Sequence, residues 1–160
     1  MVTITDKPVV DRRAVATGRL KLDSETLNAI QAGRISKGDV LEASTVAAIQ
    51  AIKETPRLIP HCHPIPIEGA DVDWEFEYSR RKGVGNPAES QSAPPSALRC
   101  TVTVLTRWKT GVEMEALVGV TTALLCAWDM VKSREKDADG QYPKASIEDV
   151  RVVEKFKSKA

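Results

Sequence analysis

The chain has 160 residues, with 23 Lys+Arg against 22 Asp+Glu, 42% apolar and 28% charged residues, the length and balance of one ordinary globular domain. Its net charge of +1 excludes the strong basic field of a dedicated nucleic-acid binder but leaves room for a local basic pocket. The nine Gly and nine Pro fall at no fixed period and no run of 18 apolar residues occurs, so a fibrous chain and a membrane-spanning helix are not expected.

Residues 1–10 read as short and β-rich, with no basic-then-apolar leader. Asp11 is a candidate N-cap for a short helix over 12–16, closed by Gly18, with a short extended piece over 19–22. Asp23 or Ser24 caps the next helix, which carries Leu27, Ile30 and Gln31 and ends at Gly33. Residues 40–55 set Leu41, Ala48, Ile49 and Ile52 at helical spacings behind Asp39 as N-cap. Pro56 is expected to stop that helix, because proline disfavours helix in the residue before it. Residues 58–67, with Pro60, Pro64 and Pro66, predict an irregular extended loop. Residues 70–78 alternate, with Val72, Trp74, Phe76 and Tyr78 on one face and Asp71, Asp73, Glu75 and Glu77 on the other. Residues 98–106 alternate as well, and the two strands are expected to pair as a hairpin. The intervening 79–97, rich in Gly, Ser, Pro, Arg and Lys, predict a flexible hairpin insertion, with a basic substrate-gating loop as the alternative. Residues 112–132 predict the longest helix, 133–146 a polar loop and 147–154 a final strand. The order predicts an α+β fold, an antiparallel sheet packed against helices in a single domain. Cys62, Cys100 and Cys126 are odd in number and widely separated, which predicts reduced thiols and a cytoplasmic protein.

Four constellations carry candidate chemistry. In Pro60-His61-Cys62-His63-Pro64, two histidines at i and i+2 of an extended segment point the same way. They fit a metal site, a hydrogen-bonded structural pair or substrate contact; zinc would need a third or fourth protein ligand, and no second spaced Cys/His pair exists. In Thr110-Gly111-Val112-Glu113-Met114-Glu115, Thr110 and Glu113 have the spacing of a capping box, which does not explain Glu115, though acidic residues in a first helical turn are also favoured by the helix dipole. Asp129 and Lys132 are i, i+3 neighbours; a surface ion pair is one reading. A carboxylate at the helix end that favours cations, with a lysine beside it, also reads as a proton-transfer pair. Gly33-Arg34-Ile35-Ser36-Lys37-Gly38-Asp39 lacks the Lys-Ser/Thr of a phosphate loop, so Lys37 is either a solvated turn lysine or a group for phosphate or proton transfer. Glu115, Thr122 and Asp129 share one helical stripe, but Glu115 and Asp129 stand roughly 21 Å apart along the axis. One small substrate in one monomer cannot easily touch both: either the substrate is long, or two subunits contribute opposite ends of this helix, and the second option predicts an oligomer with shared sites.

These segments together resemble the cyclic pyranopterin monophosphate synthase family, accessory protein C of molybdenum cofactor biosynthesis. The matching pieces are Lys37-Gly38-Asp39-Val40, Ala47-Ala48-Ile49-Gln50-Ala51-Ile52-Lys53 and Leu58-Ile59-Pro60-His61-Cys62-His63-Pro64. They continue with Thr110-Gly111-Val112-Glu113-Met114-Glu115-Ala116-Leu117 and Asp129-Met130-Val131-Lys132, all in the family's order. The resemblance implies a ferredoxin-like fold, a hexamer of three dimers with sites at the dimer interface, and a cytoplasmic lyase. Its substrate would be 3′,8-cyclo-7,8-dihydro-GTP and its products cyclic pyranopterin monophosphate and pyrophosphate. No redox cofactor is implied, room is left for a divalent ion with the phosphates, and neither nucleic acid nor membrane is a partner. Asp129, Lys132 and Lys37 match the family's catalytic residues. Cys62, His63, Met114 and Glu115 match its substrate-binding segments, with Glu113 beside them, and Lys53, Arg12 and Lys155 match further basic residues of the pocket. The expected roles are proton exchange by Lys37 and Lys132, with Asp129 setting their state and neighbouring cations bringing a lysine closer to neutrality, and phosphate holding by His63 and the basic residues. The chain departs from the pattern at Thr3, His61 and Trp128 and lacks the glycine-rich tail after Lys155. No site role is carried to His61. The departures keep a binding-only relative as the rival reading, beside a small metal-binding protein built on the two histidines.

Overall fold

The computed structural model describes residues 1–79 and 93–159. Its elements are β1 (Val10–Lys21), α1 (Ser24–Gln31), α2 (Val40–Leu58), β2 (Gly69–Tyr78), β3 (Pro95–Trp108), α3 (Glu113–Glu135) and β4 (Ser146–Lys157). The helix expected over 12–16 is instead the middle of β1. Ala14, Ala16 and Leu20 are wholly buried, a period of two that a strand satisfies once it has partners on both sides. It has them: β1 pairs antiparallel with β3 and with β4. Gly18 is therefore not a helix stop. A Cβ there would stand 2.9 Å from side-chain carbons of Leu124, Val120 and Val150, so the bare backbone lets the sheet meet α3.

The sheet runs in the order β2-β3-β1-β4, and β2 pairs antiparallel with β3 as the hairpin expectation required. With α1 and α2 together forming the first crossover and α3 the second, this is the β-α-β-β-α-β arrangement of a ferredoxin-like α+β fold. Of the expected insertion over 79–97, residues 80–92 lie outside the described residues, while Pro95, Ser96 and Ala97 already belong to β3. The helices cover one face of the sheet. On the other face Arg19 meets Glu148 at 2.8 Å and Glu77 at 3.5 Å, and Arg99 pairs with Glu77.

Asp23 and Asp39 cap α1 and α2, accepting from the amides of Glu25 and Glu42 at 3.0 Å each. Pro56 does not stop α2, which continues to Leu58. In the last turn proline costs a single helical hydrogen bond, and the Ile59 amide still reaches the Thr55 carbonyl at 2.8 Å. By length and composition α3 could cross a membrane. Here it packs Ala116, Val120, Ala123, Leu124, Ala127 and Val131 into the core, all fully buried. It also outruns its expected end at Lys132, and the Glu135 carboxylate accepts from the Asp23 amide at 3.1 and 3.3 Å, tying the end of α3 to the start of α1. The proline-rich segment 59–68 is irregular, as expected. Its backbone is fixed by the Glu68 amide on the Leu105 carbonyl (3.1 Å) and by the Thr106 hydroxyl donating to the Pro66 carbonyl, so it is tied to β3 in a set position.

Candidate active site

Lys37 sits in the turn between α1 and α2. Gly38 follows with φ 103, a conformation open to glycine and rarely to other residues, and its amide bonds the Ile35 carbonyl at 3.0 Å. The turn delivers the Lys37 ammonium to α3: Nζ lies 2.8 Å from Asp129 Oδ2 and 2.8 Å from the Asp129 carbonyl. Lys132, one turn further along α3, donates to Asp129 Oδ1 at 2.6 Å. One carboxylate thus holds two ammonium groups, one on each oxygen. All three side chains are about half exposed, where such pairs contribute little to stability, so stability does not account for the cluster.

Hydrogen bonds from Lys132 and Lys37, reinforced by their charges, hold the Asp129 carboxyl at about 2. A depressed carboxyl contributes above its unfolded value and loses that contribution as pH falls through the folded one. The Asp129 carboxyl is therefore ionised throughout the neutral range. Lys132 moves opposite to the expectation of a lysine drawn toward neutrality: its hydrogen bond and charge interaction with Asp129 raise it. The partner beside it is an anion rather than another cation, and in the free protein Lys132 is a charged donor.

The other end of α3 borders a pocket of ≈ 350 Å³ walled by His61, Cys62 and His63 on the proline-braced loop and by Gly111, Met114 and Glu115 among others. The expected capping box is absent. The N-cap is Val112, without a side-chain hydrogen bond, and the Glu113 carboxylate turns instead to Lys155 on β4. Burial pushes Glu113 up, but the Lys155 hydrogen bond, its own amide and the charges of Lys155 and Arg12 outweigh this and leave it low. Glu115 behaves in the opposite way. It is 3% exposed; burial raises its carboxyl, its own amide opposes this, and the Glu113 charge adds to the rise. Burial, then the nearby Glu115, also raises the Cys62 thiol, which keeps it protonated. Among the described residues no group of three or more His, Cys, Asp or Glu side chains is arranged to hold a metal ion.

A raised carboxyl favours folding below the ordinary carboxylate range and loses that advantage as pH rises through its folded value. Glu115→Gln is therefore expected to raise Tm by a few degrees at neutral pH. The gain should vanish below about pH 4, where wild-type Glu115 is protonated in both states. Thermal melts of both proteins across this range measure it, and a variant less stable at neutral pH would contradict the assignment.

A second pocket, ≈ 360 Å³, adjoins the first and shares Thr110, Gly111 and Glu113 with it. Its other walls bring Arg12 and Lys155 together with Lys157, and with Lys7 and Lys109, two cations that sequence reasoning missed. Lys109 had a signal, since it directly precedes the Thr110-Gly111 motif. Lys7 had none; Lys109 Nζ, donating to the Thr5 carbonyl at 2.7 Å, holds its segment in place. Arg12 donates to the Lys109 carbonyl at 3.5 Å, while its buried Nε–H has no partner. Lys53 stands exposed on α2 and borders neither pocket. A roomier groove of ≈ 470 Å³, lined by Glu25, Asn28, Arg34 and Arg134 among others, holds none of the predicted residues. The two pockets and the Lys37–Asp129–Lys132 cluster occupy opposite ends of one continuous helix, roughly 21 Å apart.

Sequence comparison finds related proteins. The chain is 51% identical over 157 residues to a protein of Methanospirillum hungatei, covering 98% of this chain and 90% of that one. It is 49% identical over 158 residues to one of Pyrococcus abyssi, covering 99% and 89%, and 48% identical over 160 residues to one of Methanosarcina mazei, covering 100% and 91%. Each of the three is named a probable cyclic pyranopterin monophosphate synthase. The sequence profile of the MoaC family matches residues 1–158, a span that includes the lysine turn, the proline-braced loop, both ends of α3 and the basic strand β4: the chain belongs to the MoaC family.

Proposed function

We propose that this chain converts 3′,8-cyclo-7,8-dihydro-GTP to cyclic pyranopterin monophosphate with release of pyrophosphate, a lyase step of molybdenum cofactor biosynthesis. The observation that carries the reading is the Asp129 carboxylate bridging two lysine ammonium groups, in a chain whose relatives carry that synthase name. Closing the cyclic phosphate requires a sugar hydroxyl oxygen to bond to the α-phosphorus as the bond to the β-phosphate oxygen breaks. Pyrophosphate carries the electron pair away, and the hydroxyl proton must be taken up. Ring rearrangement moves further protons between carbon and nitrogen. Lys37 and Lys132 supply and accept these protons, and Asp129 holds both side chains in place by hydrogen bonds until substrate arrives. The basic pocket holds the phosphates through charge-assisted hydrogen bonds, and Arg12, with an unpartnered buried N–H, is the donor best prepared for one. Cys62, His63, Met114 and Glu115 bound the space for the ring system, and Lys53 remains a candidate contact from α2. The step is redox-neutral and needs no redox cofactor, and a divalent ion with the phosphates is compatible with it.

The reading includes an assembly. Two subunits sharing a site would bring the lysine cluster of one to the pockets of the other, within a hexamer of three dimers in the cytoplasm. The sheet face opposite the helices and the exposed Leu105, Val153 and Phe156, 38%, 51% and 48% accessible, give such contacts a surface. The direct test supplies the cyclised dihydro-GTP, made by the preceding radical enzyme, and measures both products. Equal amounts of cyclic pyranopterin monophosphate and pyrophosphate are expected; binding without turnover, beside a working control synthase, would replace the proposal with a non-catalytic relative.

A further inference from the structure

Glu113 is the one carboxylate among the described residues lining the basic pocket, set among Lys7, Arg12, Lys109, Lys155 and Lys157. An anion site gains nothing from a resident anion: the carboxylate repels the ligand and occupies a cation the ligand could use. Helix capping does not explain it, because α3 has no side-chain cap. The carboxylate pairs with Lys155, lies at the junction of the two pockets and rests over Gly111, where any Cβ would collide with it. The loop has been kept bare at the place the carboxylate occupies.

We propose that Glu113 is a built-in competitor for the polyphosphate: it holds Lys155 while the pocket is empty, yields it when the anion enters, and takes it back so that pyrophosphate leaves. Gly111 is the positioning residue that gives the carboxylate its room. The inference rests on reading this pocket as the phosphate site. It predicts that the pocket binds pyrophosphate less tightly than its five cations alone would, and that the missing affinity appears as a faster off-rate.

Titration calorimetry with inorganic pyrophosphate, at fixed ionic strength, tests it on wild type, Glu113→Gln and Gly111→Ala. Glu113→Gln keeps the shape and removes the charge, so pyrophosphate should bind about tenfold tighter and inhibit turnover at correspondingly lower concentration. Gly111→Ala displaces only the flexible end of the Glu113 side chain. It should keep the wild-type Tm and shift pyrophosphate affinity, whereas a glycine serving backbone packing would lower Tm and leave affinity alone. Unchanged or weaker binding by Glu113→Gln, with wild type still binding, overturns the competitor role and leaves the phosphate pocket standing. Pyrophosphate binding to none of the three proteins overturns the phosphate-site reading and the inference with it.

Discussion

Lys132→Ala is expected to lower formation of cyclic pyranopterin monophosphate by about 10²–10⁴-fold, the usual contribution of a positioned proton-transfer group, while fold and assembly persist. Lys132 lies on the solvated side of α3, its ammonium bonded to Asp129 at 2.6 Å, and alanine suits a helix interior at least as well as lysine. The loss is therefore chemical. What disappears is one of two ammonium groups on Asp129; Lys37 remains on the other oxygen at 2.8 Å, so the carboxylate keeps a partner and the turn keeps its anchor. Lys132→Arg separates charge from proton transfer. Arginine can restore a cation on Asp129 but does not deprotonate in proteins. Activity restored by arginine would make the role electrostatic, and activity lost in both variants would make it proton transfer. Turnover assays beside circular dichroism and size-exclusion profiles read all three proteins, and unchanged turnover in Lys132→Ala would end the assignment.

Much of this site is legible in the sequence because its parts are local. Lys37 sits before a glycine that its turn requires, Glu113 to Glu115 open a helix, and Asp129 and Lys132 are one turn apart. The misses are non-local. Residues 12–16 carry an aspartate ahead and a glycine behind, which reads as a capped helix. Only pairing with β3 and β4 turns Ala14, Ala16, Gly18 and Leu20 into the inward face of a central strand. Glu113 has the spacing of a capping box, yet Lys155, 42 residues on, outcompetes the cap because a charged partner is worth more to a carboxylate than one backbone amide. The same logic hid Lys7 and Lys109: isolated lysines become a pocket only when the N-terminal segment, the end of β3 and β4 meet.

The distance along α3 yields the second large effect, a recovery rather than a loss. Lys132→Ala lesions one end of the helix; a Lys155→Ala/Lys157→Ala double variant strips two cations from the pocket at the other. Each protein alone is expected to be nearly inactive. If a single chain supplied both ends of its site, a mixture would stay inactive, because every site would carry one lesion or the other. The continuous helix argues against that: its two ends, roughly 21 Å apart, are too distant for one bound nucleotide to bridge. In a two-fold dimer with shared sites, each subunit lends its lysine cluster to one site and its basic pocket to the other. A mixed dimer then holds one site free of both lesions and one carrying both. Half of randomly reassorted dimers are mixed, so activity should return to about a quarter of the wild-type level. Unfolding and refolding the two variants together, against each refolded alone, measures this. No recovery, with reassortment verified by mass-tagged subunits, would place both ends of the site within one chain and require α3 or its neighbours to bend on substrate binding.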